Sequence, residues 1–152
     1  MKKEHYTIHE MELIYLPKYN LSERPKIHSS EDVANLLKQI FNPNTIQCQE
    51  EFIVLYMNNS NRVIGSQKLS KGGICSTIVD VRLIMSTALK SLATAIILSH
   101  NHPSGNCHPS ENDKKITARI KDACKFFEIT LLDHLILTPD HSYYSFADES
   151  IL

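Results

Sequence analysis

The sequence lacks long hydrophobic runs, paired cysteines and a leader-like start. No apolar run approaches the roughly 18 residues of a membrane-spanning helix, so we predict no transmembrane segment. No apolar stretch follows the basic residues near the start, so we expect no signal peptide. The four cysteines, at positions 48, 75, 107 and 124, form no C-x-x-C pair and match neither a zinc ribbon nor a disulfide scaffold. These absences predict a cytoplasmic protein with free thiols.

An excess of one charge is also missing. Sixteen basic and seventeen acidic residues give a formal net charge of −1 at pH 7. Non-specific nucleic-acid binding depends on clustered Lys and Arg, so this balance does not support DNA association. The 152 residues, 42% hydrophobic and 22% charged, suit one globular domain with a single core.

Hydrophobic periodicity predicts an α/β fold, with helices packed on a mixed β-sheet, in the order α-β-β-α-β-α-β-β. Helices are predicted at 30–41, 80–92 and 111–127, and strands at 50–57, 62–69, 94–98, 129–137 and 142–146. Ser30 is predicted to cap the first helix. Residues 1–28 are predicted to form an N-terminal arm and connector with an edge strand at 11–16, and 29–152 to form the domain.

Helical spacing also predicts which side chains face the core. On the second helix they are Val81, Ile84, Met85, Ala88, Leu89 and Leu92, and on the third they are Ile116, Ile120, Ala123, Cys124 and Phe127. The short apolar run at 94–98 is typical of a central strand buried on both faces.

The central strand leads into a pattern that suits a metal. His100 and His102 are two residues apart at a strand end, so both imidazoles point to the same side. Asp113 lies in the first turn of the next helix, where its carboxylate can reach back. Two histidines and a carboxylate form a three-ligand zinc set that leaves a fourth position for water. Zinc lowers the pKa of such a water to about 7, which makes it a nucleophile at neutral pH.

Two simpler interpretations need no metal. With eight histidines in the chain, an H-x-H pair arises readily by chance. Ser110-x-x-Asp113 also resembles a helix capping box. The combination of H-N-H-P-S-G at 100–105 with P-S-x-x-D at 109–113 is much harder to obtain by accident and favours the metal site.

These residues resemble a known family. H-x-H-P at 100–103 followed by S-x-x-D at 110–113 is similar to the JAMM motif of JAB/MPN domains, zinc-dependent hydrolases that include deubiquitinating peptidases. The fuller string resembles the RadC branch, as do D-H-L-I at 133–136 and E-x-F at 50–52. The resemblance covers about residues 30–147 and implies a single domain of the JAB/MPN type, which is cytidine-deaminase-like.

The resemblance implies a zinc metallopeptidase that attacks a peptide or amide bond of an unknown peptide or protein substrate with zinc-activated water. His100, His102 and Asp113 would hold Zn²⁺. Ser110 would orient the water or stabilise the oxyanion, and Glu50 would be the general base. The chemistry itself requires such a base, because the water loses a proton and the leaving amine gains one.

Several assignments have alternatives. Glu51 is the rival base, but Glu50 shares strand parity with Phe52, so inward packing of Phe52 would favour Glu50. Peptidase members of the wider family usually carry Ser or Thr between the histidines, where this chain has Asn101. That agrees with the RadC branch and disfavours ubiquitin-type isopeptidase activity. Residues 1–28 have no counterpart of the family's helix-hairpin-helix region.

Other residues near the motif have two interpretations each. Cys107 is either an exposed thiol, which we favour, or a fourth zinc ligand. Asp133-His134 is either a buried structural hydrogen bond, which we favour, or a pair that orients a ligand. The basic residues of the third helix form either a solvated face or a contact with a substrate phosphate; they are Lys114, Lys115, Arg119 and Lys121.

Two other functions compete with the metallopeptidase. The first is a DNA-repair-associated accessory protein without peptidase activity, which the RadC name implies and the charge balance disfavours. The second is a metal-free scaffold, which the intact ligand set disfavours. The oligomeric state is left open.

Overall fold

A computed structural model describes residues 20–71 and 79–152, together with Tyr15, Leu16 and Lys18. The predicted order of helices and strands is confirmed. A short 3₁₀ turn is followed by α1 Ser30–Ile40, β1 Glu51–Met57, β2 Val63–Lys71, α2 Val81–Lys90, β3 Ala95–Asn101, α3 Glu111–Phe126, β4 Thr130–Leu137 and β5 Tyr143–Ser145. The edge strand predicted at 11–16 lies largely outside the described residues. None of the helices in residues 20–71 and 79–152 has the length and apolar character of a transmembrane span.

The five strands form one mixed sheet in the order β2-β1-β3-β4-β5. β1 is antiparallel to both β2 and β3, β3 is parallel to β4, and β4 is antiparallel to β5. The parallel pair requires a crossover, which α3 provides. The predicted mixed sheet with packed helices is thus confirmed, and it has the architecture of a JAB/MPN-type α/β domain.

The sheet is covered on both faces, because neighbouring residues of a strand point to opposite sides. Ile53, Leu55 and Met57 pack in one core cluster with α1, and Phe52, Val54 and Tyr56 pack in another with α2 and α3. Every residue of β3 is buried, as predicted for its apolar part. His100 and Phe52 are paired across β3 and β1, so they share the face on which α3 lies.

Three predictions about the second and third helices are wrong. Leu89, Leu92 and Phe127 are 45%, 82% and 47% exposed rather than inward-facing. Leu92 and Phe127 lie beyond the last helical residues, where the helical period no longer sets the side-chain direction. Leu89 lies at the edge of the apolar stripe of α2, which leaves its side chain partly in solvent.

The cap of α1 also differs from the prediction. Ser29, and not Ser30, is the N-cap: its hydroxyl accepts from the backbone N–H of Asp32, and the Asp32 carboxylate accepts from the backbone N–H of Ser29. This capping box requires an acid three residues after the cap, a spacing that Asp32 satisfies only for Ser29. The Ser30 hydroxyl instead donates to Asp148 Oδ2 at 2.5 Å.

Candidate metal centre

The two histidines of the motif meet at the end of β3. His100 lies within the strand and is 4% exposed. His102 follows the strand and is tied to β4 by its backbone N–H, which donates to the carbonyl of Leu137 at 2.8 Å. The Nε2 atoms of the two rings are 2.9 Å apart. The alternation of the strand therefore brings both imidazoles to one point.

Asp113 reaches the same point from α3. Its Oδ1 lies 3.2 Å from Nε2 of His100, and its Oδ2 lies 3.6 Å from Nε2 of His102. The same carboxylate completes the predicted capping box, since Oδ2 accepts from the backbone N–H and from the hydroxyl of Ser110, both at 2.7 Å. The capping interpretation and the ligand interpretation are thus compatible, because N-capping aims this carboxylate back over the start of α3.

The three side chains form a group that could hold a metal ion. We call His100, His102 and Asp113 the metal-ligand group. Two ligands at about 2.1 Å from a tetrahedral zinc are about 3.4 Å from each other. The shortest separations between the three side chains are 2.9, 3.2 and 3.6 Å, the last two to different oxygens of Asp113, and they lie near that value. The donor set and its spacing therefore fit zinc.

A buried chain of hydrogen bonds determines which nitrogen of His100 is free. Thr117 Oγ1 is 2.6 Å from the carbonyl oxygen of Asp113 and 2.6 Å from Nδ1 of His134. A carbonyl oxygen only accepts, so Thr117 donates to it and must accept from the Nδ1–H of His134. Nε2 of His134 then accepts from the Nδ1–H of His100 at 2.9 Å. The Nε2 of His100 is left with a lone pair that faces the site.

His102 is set in the same way by its own loop. Its Nδ1–H donates to the carbonyl oxygen of Asn106 at 2.7 Å, and in the neutral ring this leaves a lone pair on Nε2. When both rings are neutral, two nitrogen lone pairs and a carboxylate thus meet with no imidazole hydrogen between them. Such a set is stabilised by a cation, and ligating histidines commonly donate their other N–H to a carbonyl or another acceptor.

The pKa shifts agree with a site built for positive charge. Burial raises the pKa of Asp113, but hydrogen bonds from His100 and His102, which form only when these rings carry a hydrogen on Nε2, outweigh burial and hold this pKa well below its usual range. Burial lowers the pKa of His102, whereas the hydrogen bond with Asp113 and that with Asn106 raise it to a net value above the ordinary one. His134 is fully buried, and burial holds its pKa well below the ordinary value, so it is neutral.

The two residues of the Asp133-His134 pair have different roles. Asp133 accepts from the backbone N–H groups of His134 and Ala147 and from the hydroxyl of Ser145, which ties β4 to the end of β5. Burial raises the pKa of Asp133. His134 contacts His100 instead, and its ring stacks on Phe146 with centroids 4.8 Å apart. The predicted structural role thus describes Asp133, and the orienting role describes His134.

Glu50, just before β1, and Glu51, its first residue, have side chains on opposite sides of the sheet. Glu50 lines the cavity of the metal-ligand group, and its charge contributes to the raised pKa of His102. Phe52 packs inward and stacks on His100 with centroids 6.0 Å apart. Glu51 is 1% exposed and pairs with Lys68 at 3.0 Å on the other side. Phe52 thus packs inward, and inward packing of Phe52 is the condition under which strand parity favours Glu50 over Glu51 as the base.

Asn101, between the two histidines, holds the loop that carries Glu50. Its side-chain oxygen accepts from the backbone N–H of Glu51 at 2.7 Å, and its amide nitrogen donates to the carbonyls of Ile46 and Gln49, both at 2.9 Å. Asn101 is completely buried. A single side chain thus connects the strand of the two histidines to the segment just before β1.

The metal-ligand group opens into a cavity of about 570 Å³, which Ser110 also lines. Cys107 and His108 lie in the neighbouring loop but outside the metal-ligand group, and the His108 ring packs against Tyr144. Thr117 is a site residue that sequence reasoning missed. The available signal is its position four residues after Asp113, on the same side of α3.

The fold and the site together define a JAB/MPN-type domain with a candidate metal centre. The RadC-like JAB domain family matches residues 27–151, and the chain belongs to this family. A UPF0758 protein of Flavobacterium johnsoniae is 50% identical over 126 residues, which is 83% of this chain and 53% of that protein. A UPF0758 protein of Porphyromonas gingivalis is 50% identical over 104 residues, covering 68% and 46% of the two chains. One of Streptococcus gordonii is 39% identical over 130 residues, covering 86% and 56%. The chain thus spans about half the length of these relatives.

Proposed function

We propose that the domain is a zinc-dependent metallohydrolase that cleaves a peptide or amide bond of a peptide or protein. The observation that carries the proposal is the meeting of the metal-ligand group, Glu50 and Ser110 in one cavity. Zinc bound there would polarise the substrate carbonyl and lower the pKa of a water molecule to about 7. Membership of the RadC-like JAB family supports this choice of metal and reaction class.

The side chains of the cavity supply the remaining steps. Glu50 accepts a proton from the attacking water and transfers it to the leaving amine, which breaks the carbon–nitrogen bond. Ser110 turns its hydroxyl from Asp113 towards the oxygen of the attacked carbonyl and stabilises its developing negative charge. Phe52 covers one face of His100 and keeps water from that side of the ring.

The alternative function, a DNA-associated accessory protein, finds no support in the balanced charge of the chain. The free thiols of Cys48, Cys107 and Cys124 support a reducing, cytoplasmic location as part of the proposal.

Elemental analysis of the purified chain for zinc and iron is the decisive first experiment. We expect about one zinc per chain in the parent and a large loss in Asp113→Ala. Asp122→Ala is the matched control, since it removes an exposed aspartate from the same helix. Equal zinc in all three would place the ligands elsewhere. Iron in place of zinc would contradict the hydrolase, because two histidines and a carboxylate also bind Fe(II) in oxygenases.

A peptide library then tests the reaction itself. The zinc-loaded parent should cleave members of the library, and Glu50→Gln should retain its zinc and lose cleavage by about 100-fold or more. Full cleavage by Glu50→Gln would remove Glu50 as the base.

A further inference from the structure

The cavity of the metal-ligand group has a second polar wall on α3. Asn112, Lys115 and Arg119 line this cavity. They recur at i, i+3 and i+7, so they lie on one stripe of the helix. Arg119 is six residues after Asp113, which places it about 9 Å further along the helix axis. The stripe therefore leads away from the metal-ligand group along one side of the cavity.

The two cations of this stripe differ from Lys114 and Lys125 on the same helix. Lys114 and Lys125 each pair with an acidic residue three positions earlier, at 2.8 and 3.1 Å. Lys115 and Arg119 form no ion pair with any residue that the structure describes. As like charges at i and i+4, they also repel each other, which is unfavourable for an isolated helix. Glu111, whose pKa is lowered mainly by the hydrogen bond from Lys114 and also by the charge of Lys115, is already paired with Lys114. Lys115 and Arg119 thus form a cationic patch without an ion-pair partner of its own among the described residues.

The charge of Arg119 also affects the pKa of Asp80, but Asp80 already forms an ion pair with Arg82. Hydrogen bonds from Arg82, with a smaller contribution from the charge of Arg119, lower the pKa of Asp80. Arg82 contacts both carboxylate oxygens of Asp80, at 3.0 and 2.7 Å. Asp80 therefore leaves Arg119 available to an external anion.

The charges of the cavity favour an anionic ligand at this wall. The carboxylates of Glu50 and Asp113 together carry two negative charges, which one divalent cation would neutralise. With the metal in place, the charges of Lys115 and Arg119 are left over on the wall of a concave site. A concave surface of one sign concentrates ligands of the opposite sign.

We infer that Lys115 and Arg119 form a subsite for a carboxylate of the substrate, so that the domain prefers acidic peptides. This rests on the proposed hydrolase function and names its substrate class. A peptide extends by about 3.3 Å per residue, so the distance from Asp113 to Arg119 along α3 places the carboxylate about one to three residues from the cleaved bond. The planar guanidinium of Arg119 matches a carboxylate with two parallel hydrogen bonds.

A peptide fits these observations better than a nucleic acid. Binding to a phosphate backbone uses a long series of Lys and Arg contacts, whereas this wall offers two cations beside a metal site. Lys114 and Lys125 of the same helix are each paired with an acidic residue of that helix. The apolar lining from Phe52, Val79 and Ile116 suits the side chains of a peptide.

Binding measurements on the full chain test the subsite without requiring cleavage. The probes are N-acetylated, C-amidated alanine pentapeptides with one Glu or one Gln at each position in turn, and the all-alanine peptide with a free C-terminus. Dissociation constants are measured by NMR titration with and without zinc, in the background Glu50→Gln. We expect one Glu position, or the free C-terminus, to bind about tenfold tighter than its neutral counterpart, and less so at high salt.

Two double variants decide whether the stripe is responsible. Lys115→Gln/Arg119→Gln should abolish the preference for acid, and Lys114→Gln/Lys125→Gln, with the same change in charge on the same helix, should keep it. The Glu peptides and the free-acid peptide distinguish a side-chain carboxylate from a terminal one. Equal binding of acidic and neutral peptides by the parent would overturn the inference, as would equal losses in both double variants.

The remaining outcomes are also decisive. Tighter binding of a short single-stranded oligonucleotide than of any peptide, lost in Lys115→Gln/Arg119→Gln, would replace the peptide with a nucleic acid. Zinc content is measured on the same samples. A chain without zinc contradicts the proposed function, while the titration of the metal-free chain still reports on Lys115 and Arg119. A zinc-loaded chain without a preference for acid contradicts this inference alone.

Discussion

The chain of hydrogen bonds from Thr117 through His134 to His100 predicts that a residue outside the metal-ligand group controls metal affinity. His134→Leu removes the acceptor of the His100 Nδ1–H. In the metal-free variant His100 can move its proton to Nε2 and donate to Asp113, which lies 3.2 Å away. Metal binding must then restore the Nδ1–H form with no partner for that hydrogen. The penalty therefore falls on the metal-bound state.

The magnitude follows from the burial of this hydrogen bond. His100 and His134 are 4% and 0% exposed, so water does not replace the lost acceptor. An unsatisfied buried donor costs about 1–3 kcal/mol. At about 1.4 kcal/mol per factor of ten, zinc should bind His134→Leu about 5- to 150-fold more weakly than the parent. That range agrees with the effect of residues that orient ligands in other metal sites, about 10- to 100-fold.

Competition with a chromophoric zinc chelator measures the change directly. His134→Gln is the matched variant, because its amide can both accept from His100 and donate to Thr117. We expect it to recover most of the affinity, and we expect Thr117→Val to lose part of it. Urea unfolding of the metal-free proteins separates affinity from stability. Zinc binding by His134→Leu within about twofold of the parent, or equal losses in the Leu and Gln variants, would refute the reasoning.

Three further predictions concern groups around the site. Asn101→Ala should lower the free energy of unfolding by about 2–4 kcal/mol in urea titrations, because it leaves buried partners unsatisfied; a loss below about 1 kcal/mol would contradict its bridging role. Glu51→Gln should lower the free energy of unfolding by only about 1–2 kcal/mol, because its partner Lys68 is 40% exposed and water screens the ion pair. This variant should retain peptide cleavage. Loss of cleavage with normal zinc content would make Glu51 the base. Burial raises the pKa of Cys124 to about 11, so at pH 8 the folded chain should react with iodoacetamide at exposed Cys48 and not at Cys124. Equal labelling of the two by mass spectrometry would show that α3 is not packed as described.

Local sequence determined the order of helices and strands and the composition of the metal-ligand group. The apolar periods of two and 3.6 are local properties, so strands and helices follow from residues close in the chain. His100 and His102 share a side because a strand alternates. Asp113 turns back because the third residue of a helix bonds to its N-cap. Each of these relations spans no more than a few residues.

The tertiary structure decided what lies further apart. His134 orients His100 across 34 residues of sequence, and Thr117 meets His134 across 17. These contacts depend on the parallel pairing of β3 with β4 and on the position of α3 against the sheet. Neither arrangement can be predicted from residues close together in the sequence. The exposure of Leu92 and Phe127 likewise depends on where each helix ends against its neighbours. The period of apolar residues predicts which face of a helix or strand is buried, but only tertiary packing determines which residues that face contacts. Contacts between residues far apart in sequence form because their free energy offsets the entropy lost in bringing the residues together.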